Sequence, residues 1–220
     1  MTRGDLRTLV LGWLDDPNGA YFTSSLVNTW INLAQRRVQM MLLQAGENWY
    51  MKPVETLTVI GQSDYVLPSD HMITHRVEYV ITGTGTNEVL RPLGEITTNQ
   101  QDLISKNLGT PSNFYIKKDR ITISPTPDQA NKVIRLYYSP LVQDLSNDAD
   151  EPDVPEQFHE YVALLAAEDG FIKDDRAPTN LLVKKEKYEA LLKEMAEDRT
   201  QDVSRSVVQV QDFDFPGWEY

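Results

Sequence analysis

The hydrophobic pattern of this chain changes period twice, and that constrains its fold more than any other feature of the sequence. Apolar residues recur at helical spacing up to about Gly46, alternate in short runs from Pro53 to about Pro140, and return to helical spacing from Asp153 to about Thr200. A stretch of one period enclosed by the other reads as a separately folding insertion. The expected class is α+β, an antiparallel helical core with an inserted small antiparallel β domain and an extended C-terminal tail. In residues, 1–52 supply the N-terminal helices of the core and 53–142 the β domain. Residues 143–200 supply an acidic linker and the C-terminal helices, and 201–220 the tail.

Leu6, Leu9, Val10, Trp13 and Leu14 fall on one face of a short first helix, which Asp15-Asp16-Pro17-Asn18-Gly19 should end because these residues favour turns. A longer helix follows, with Ser24 or Ser25 as N-cap and Gly46 as its stop. Its apolar face holds Val27, Trp30, Ile31, Ala34, Val38, Met41, Leu42 and Ala45, and its other face Asn28, Asn32, Gln35, Arg36 and Gln39. Beyond the β region, Asp153-Val154-Pro155-Glu156 starts a third helix with Phe158, Val162, Leu165 and Ala166 inward, ended by Gly170 or by Asp174-Asp175. Pro178-Thr179 opens a fourth, with Leu181, Lys184, Tyr188, Leu191, Leu192 and Met195 on one stripe and Glu189 and Lys193 as a supporting pair.

Strands are expected over 55–60, 65–67, 73–82, 88–93, 114–118, 120–124 and 133–138. Gly83-Thr84-Gly85-Thr86-Asn87 reads as a hairpin loop and Asp119 as a tight turn, which together suggest a small sandwich or curved sheet. Between Gly94 and Leu108 only a short helix or loop is expected.

The chain has 220 residues, enough to bury a core without staples, and no cysteine, which removes thiolate nucleophiles, Cys-ligated zinc and disulfides together. No apolar stretch reaches signal-peptide or membrane-span length, so a soluble chain without membrane contact is expected. A net charge of -12 opposes general nucleic-acid binding. Seven acidic residues and no Lys or Arg lie between Asp144 and Glu160, which reads as a solvated linker.

Catalytic spacings are absent. His71, His75 and His159 fit no H-E-x-x-H frame, and Gly83-Thr84-Gly85 lacks the third glycine and the helix of a dinucleotide loop. Asp148, Asp150, Glu151 and Asp153 resemble a calcium loop only in composition: Asp153 stands where the loop needs glycine, and Pro152 interrupts it. Asp174 and Asp175 are adjacent acids on a surface turn, a poor setting for an acid and base pair. No cofactor, metal or catalytic residue is expected.

The end of the chain differs. Val207, Val208, Val210, Phe213, Phe215, Trp218 and Tyr220 lie beyond the last helical pattern, in a segment whose Pro216 and Gly217 cannot extend it. Large aromatics are effective interface anchors, so these seven residues are the candidate partner-binding site, with packing on the chain's own β domain as the other reading.

The order of these signals resembles the bacteriophage head-to-tail adaptor family, also called connector or tail accessory proteins. The resemblance rests on the stretch from Leu6 to Asp16, on Trp30-Ile31-Asn32-Leu33-Ala34-Gln35-Arg36-Arg37, and on Gly61-Gln62-Ser63-Asp64-Tyr65-Val66-Leu67-Pro68. Gly109-Thr110-Pro111, Pro125-Thr126-Pro127 and Pro155-Glu156-Gln157-Phe158-His159-Glu160 complete it. It implies a non-enzymatic virion protein assembled in the host cytoplasm, forming a ring of roughly twelve copies under the portal protein. It also implies lower neck or tail nozzle proteins, and tail fibres, as further partners, with DNA only passing through the channel. The alternatives are a minor tail-completion virion protein with another partner and a cell-wall-degrading enzyme, for which the acidic excess offers material but no motif.

Overall fold

The computed structural model describes residues 1–45, 50–83, 85–97 and 107–205. The changes of period become a division into two units, one made by the helices at both ends of the chain, the other lying within Asn48–Val142. The class is α+β.

The helical unit contains α1 (Arg3–Trp13), α2 (Ser24–Gln44), α3 (His159–Lys173) and α4 (Thr179–Arg205). Thr2 and Asp5 form a reciprocal capping box at the start of α1, each side chain accepting the other's backbone N–H. Asp16 ends that helix region by accepting the N–H groups of Ala20, Tyr21 and Phe22 at 2.8–2.9 Å. Leu6, Val10, Leu11 and Leu14 are the buried residues here, whereas Leu9 and Trp13 are only half-buried. The N-cap position of α2 is Thr23 rather than Ser24 or Ser25, and its side chain makes no capping bond. Ala45 is the C-cap of α2; Gly46, its expected stop, lies outside the described residues.

Helix α3 packs against α1, α2 and α4, and it is buried well beyond the single face its spacing suggested: Tyr161, Ala163, Leu164, Ala167 and Phe171 join Phe158, Val162, Leu165 and Ala166 inside. Gly170 does not end it. A Cβ at Gly170 would lie 2.6 Å and 2.8 Å from the two methyls of Leu14 and 3.2 Å from the Trp30 ring, so the glycine lets helices approach closely. The end comes at Asp174, with Asp175 in the left-handed region. On α4, Leu181 and Leu192 are buried, Tyr188 stacks on Tyr161 with centroids 5.0 Å apart, and Lys184 turns outward to pair with Glu160 at 2.6 Å. The helix continues to Arg205, past the last periodic apolar residue, because helix propensity does not require an apolar face.

The acidic run keeps most of its carboxylates exposed to solvent, but it is tied to the helices rather than free. Leu145 and Val154 are buried. Asp148 accepts from Arg3 at 2.7 Å and Arg7 at 2.6 Å, and Asp144 pairs with Arg36 at 2.6 Å. The Gln35 amide donates to the Gln143 carbonyl at 2.7 Å, and the Leu145 N–H to Asn32 at 2.9 Å. The polar face of α2 is therefore a seat for residues 143–145, with Gln35 and Gln39 fully buried, while α1 holds residues 148–150. Cations on α1 and α2 thus pair with Asp148 and Asp144 of a run that has none of its own.

In the other unit, β1 (Lys52–Leu57), β10 (Val133–Pro140), β3 (His71–Thr82) and β4 (Val89–Pro92) form one sheet in that order. The second sheet runs β2 (Asp64–Val66), β8 (Arg120–Ser124), β7 (Asn113–Lys117), β5 (Gly94–Glu95). A small parallel pair joins β6 (Leu108–Gly109) and β9 (Thr126–Pro127), and β5 also pairs in parallel with β7; the remaining ladders are antiparallel. Val77, Tyr79, Ile134, Leu136 and Tyr138 from the first sheet pack with Tyr65, Phe114, Ile121 and Ile123 from the second, making a sandwich. Strand β1 begins before the proline that seemed to bound it. Pro53 is tolerated because β1 is an edge strand and one side of its backbone needs no donor. On the other face of the first sheet Arg135 stands in register between Glu55 and Glu78, and bonds Glu55 at 2.7 Å and Glu88 at 2.9 Å.

Candidate interaction surfaces

All seven anchors expected from the sequence, Val207, Val208, Val210, Phe213, Phe215, Trp218 and Tyr220, lie outside the described residues. The structure does place the other residues singled out for chemistry. His71 stacks on Tyr138 and bonds Thr74 at 2.8 Å, and burial lowers its pKa. His75 bonds Ser139 at 2.6 Å, and buried His159 bonds the Val154 carbonyl at 2.9 Å. Each imidazole thus has its own local partner. Asp148 is held by two arginines, while Asp150 accepts the N–H groups of Ser146 and Asn147 at 2.7 Å each, closing a turn. Asp174 pairs with Arg176. Among the described residues no group of three or more His, Asp or Glu is placed to hold a metal ion. The Gly83 region joins β3 to β4; Gly83 has φ +89°, and a Cβ there would lie 2.0 Å from the Asn87 carbonyl oxygen, so the glycine serves the hairpin.

The feature the sequence reading missed is one open side of the sandwich. Strands β4 and β5 are joined through buried Leu93, which closes one side. On the opposite side the edge strands are β1 and β2, linked at one end by residues 58–63 and, among the described residues, with no strand between them. That loop is pinned: Thr58 donates to the Gln129 carbonyl at 2.8 Å, and the Tyr65 hydroxyl accepts the Val59 N–H at 3.2 Å and donates to the Gln62 carbonyl at 3.0 Å. Burial also raises the pKa of Tyr65, keeping it a neutral donor.

Between the two edges opens a cleft of about 250 Å³, walled by Val54, Thr56, Ile134 and Leu136 from one sheet and by Tyr65, Val66, Leu67 and Ile121 from the other. No charged side chain lines it. At its mouth Val66 is 65 % exposed, and the loop that follows β1 carries the exposed apolar residues Val59 and Ile60. A clue existed in the sequence, since Val59 and Ile60 continue the β-rich run past the end of β1, but the run's length made it look like strand rather than rim.

A second depression shares Val66, Leu67 and Pro68 with the cleft and adds His71, Lys118 and Asp119. It leads to the β7–β8 hairpin tip, where Lys118 adopts φ +56° and Val66 pairs across the ladder with Arg120. Lys117, Lys118 and Arg120 are exposed, and none has an ion pair among the described residues. The wider charge distribution sharpens the contrast. Asn48–Val142 holds nine Lys or Arg and nine Asp or Glu, whereas the rest of the chain holds twelve against twenty-four and so carries the whole net charge of -12.

No helix among the described residues is long and apolar enough to cross a membrane. No curated protein matches the chain. A family model does: that of the SU10 adaptor protein matches residues 1–211, a span that takes in the four α-helices and ten strands of the described residues. What is shared is thus the whole succession of helices, β unit and helices, and on that ground the chain belongs to the SU10 adaptor family of phage head-to-tail adaptors, structural proteins of the virion that join head and tail proteins.

Proposed function

We propose that the protein forms a ring of roughly twelve copies under the portal, extends the DNA channel and provides the platform on which the tail docks. The observation that carries this reading is the family match over residues 1–211. The charge distribution supports it. A closed ring needs heterologous contacts between different faces of one subunit, and a β unit without net charge and a strongly acidic helical unit supply two unlike surfaces. An acidic channel wall repels DNA and binds no phosphates, so DNA passes without being held. In this reading the helices build the ring, the β unit meets neighbours or lower neck, nozzle or fibre proteins, and assembly takes place in the host cytoplasm.

The seven tail residues are proposed as the anchor to the portal or to a neighbouring subunit. Val207, Val208 and Val210 add main-chain pairing at a free strand edge, and Phe213, Phe215 and Trp218 fill pockets. Mixing the protein with its portal and imaging the product tests the proposal. The expected result is a ring at the narrow end of the portal, with truncation of Phe213, Phe215 or Trp218 to Ala each weakening attachment by about 1–3 kcal/mol. Failure to associate with the portal, or association only with another neck component, would overturn it.

A further inference from the structure

The apolar cleft and the depression beside it meet at Val66, Leu67 and Pro68, next to the β7–β8 hairpin, and the chain's own last residues suit both the cleft and the hairpin. Residues 212–215 read Asp212-Phe213-Asp214-Phe215, and residues 206–220 contain three acidic residues and no Lys or Arg. In an extended strand, alternate side chains point to opposite sides about 7 Å apart. Phe213 and Phe215 then share one side and Asp212 and Asp214 the other. The site offers a comparable division: uncharged apolar walls between β1 and β2, and, next to Val66, an exposed hairpin on which Lys117, Lys118 and Arg120 outnumber Asp119 and have no ion pair among the described residues.

We propose that this groove receives residues 212–215 of a second copy of the chain, with the phenyl rings in the cleft and the carboxylates against Lys118 and Arg120. The contact is heterologous, tail of one copy to β unit of the next, which is the kind that propagates around a ring. The opposed charges steer the encounter, while burial of the rings in a site that no charged side chain lines gives it most of its strength. Strand β1 itself is a poor template for pairing because Pro53 lacks an N–H and Lys52 is charged, so side-chain insertion carries the specificity. This inference rests on the reading of the tail as an anchor and narrows it to a neighbouring subunit.

Two full-length variants test it by complementation. Phe213→Ala with Phe215→Ala removes the plug and leaves the groove; Val66→Glu spoils the mouth of the groove, at a residue 65 % exposed, and leaves the plug. In sedimentation velocity the unaltered chain should show weak, concentration-dependent association, and each variant alone should show none. An equimolar mixture of the two should regain it as a one-to-one complex. A labelled peptide of residues 206–220 should bind the Phe213→Ala/Phe215→Ala chain saturably, and binding should weaken at least tenfold on adding Val66→Glu or, independently, Lys118→Glu with Arg120→Glu. The second pair lies on an exposed hairpin and guards against a folding defect in the first. Equal peptide binding to all of these proteins would overturn the proposal, as would no binding. So would a peptide that binds the Phe-deleted chain while the unaltered chain stays monomeric, because the tail then fills its own groove. If the groove variants are silent but the Phe substitutions still loosen portal attachment, the tail is an anchor to the portal and only this inference fails.

Discussion

Asp148 ties the acidic segment to α1, and its chemistry gives a pH-dependent prediction. Hydrogen bonds from Arg7, then from Arg3, hold its carboxyl well below the usual carboxylate range. A carboxyl whose folded pKa is depressed stabilises the fold fully above its unfolded value, here 3.8, and loses that contribution as pH falls through the folded value. Asp148→Asn should therefore lower the melting temperature at neutral pH by roughly 2–4 °C, chiefly by stranding two mostly buried guanidinium groups. The gap to the unaltered protein should hold down to about pH 4 and close only below it. A gap that closes between pH 8 and 5, followed by circular dichroism at 222 nm, would contradict this. Asp148 was visible in the sequence only as part of an acidic run; its partners stand 141 and 145 residues away, and no local pattern encodes them.

At the scale of elements, α3 shows what close helix packing requires. Replacing Gly170 with Ala gains about 0.5–1 kcal/mol of helix propensity but inserts a methyl against Leu14 and Trp30, where overpacking costs about 1–3 kcal/mol. The expected net effect is a loss of about 1 kcal/mol, read as a lower midpoint in urea with an unchanged slope; a higher midpoint would show that Leu14 can move aside without cost. The sequence announced this helix but underestimated its burial, because Ala163, Ala167 and Gly170 are small and add little to an apolar pattern although a third and fourth helix cover them. Strands were read more closely, since period-two alternation marks half-buried ladders such as β10, whose Ile134, Leu136 and Tyr138 face inward. Strand β1 was displaced toward the C-terminus, for Pro53 reads as a boundary wherever edge and central strands cannot be told apart.

At the scale of the molecule, the concentration of all the net charge in the helical unit predicts the behaviour of the free protein. Bringing many such units together costs self-repulsion that partner contacts must offset. Without the portal, the protein should sediment as a monomer or weak oligomer at micromolar concentration; a stable closed ring under those conditions would overturn this. The weak association inferred for the tail and groove is compatible with it, since one contact per subunit does not close a ring against that repulsion.

The α+β class, the succession of the helices and the longer strands, and the adaptor resemblance were determined by the sequence alone, because periodicity and turn chemistry are written within a few neighbouring residues; the two-residue strands β5, β6 and β9 were not, since so short a pairing leaves no period to read. Only the tertiary structure decided that residues 143–150 are seated on α1 and α2, and that among the described residues β1 and β2 leave one side of the sandwich open near Lys118 and Arg120, which have no ion pair there. Those outcomes depend on strand order and on pairs of residues far apart along the chain, where the folded geometry, and no local preference, selects which groups meet.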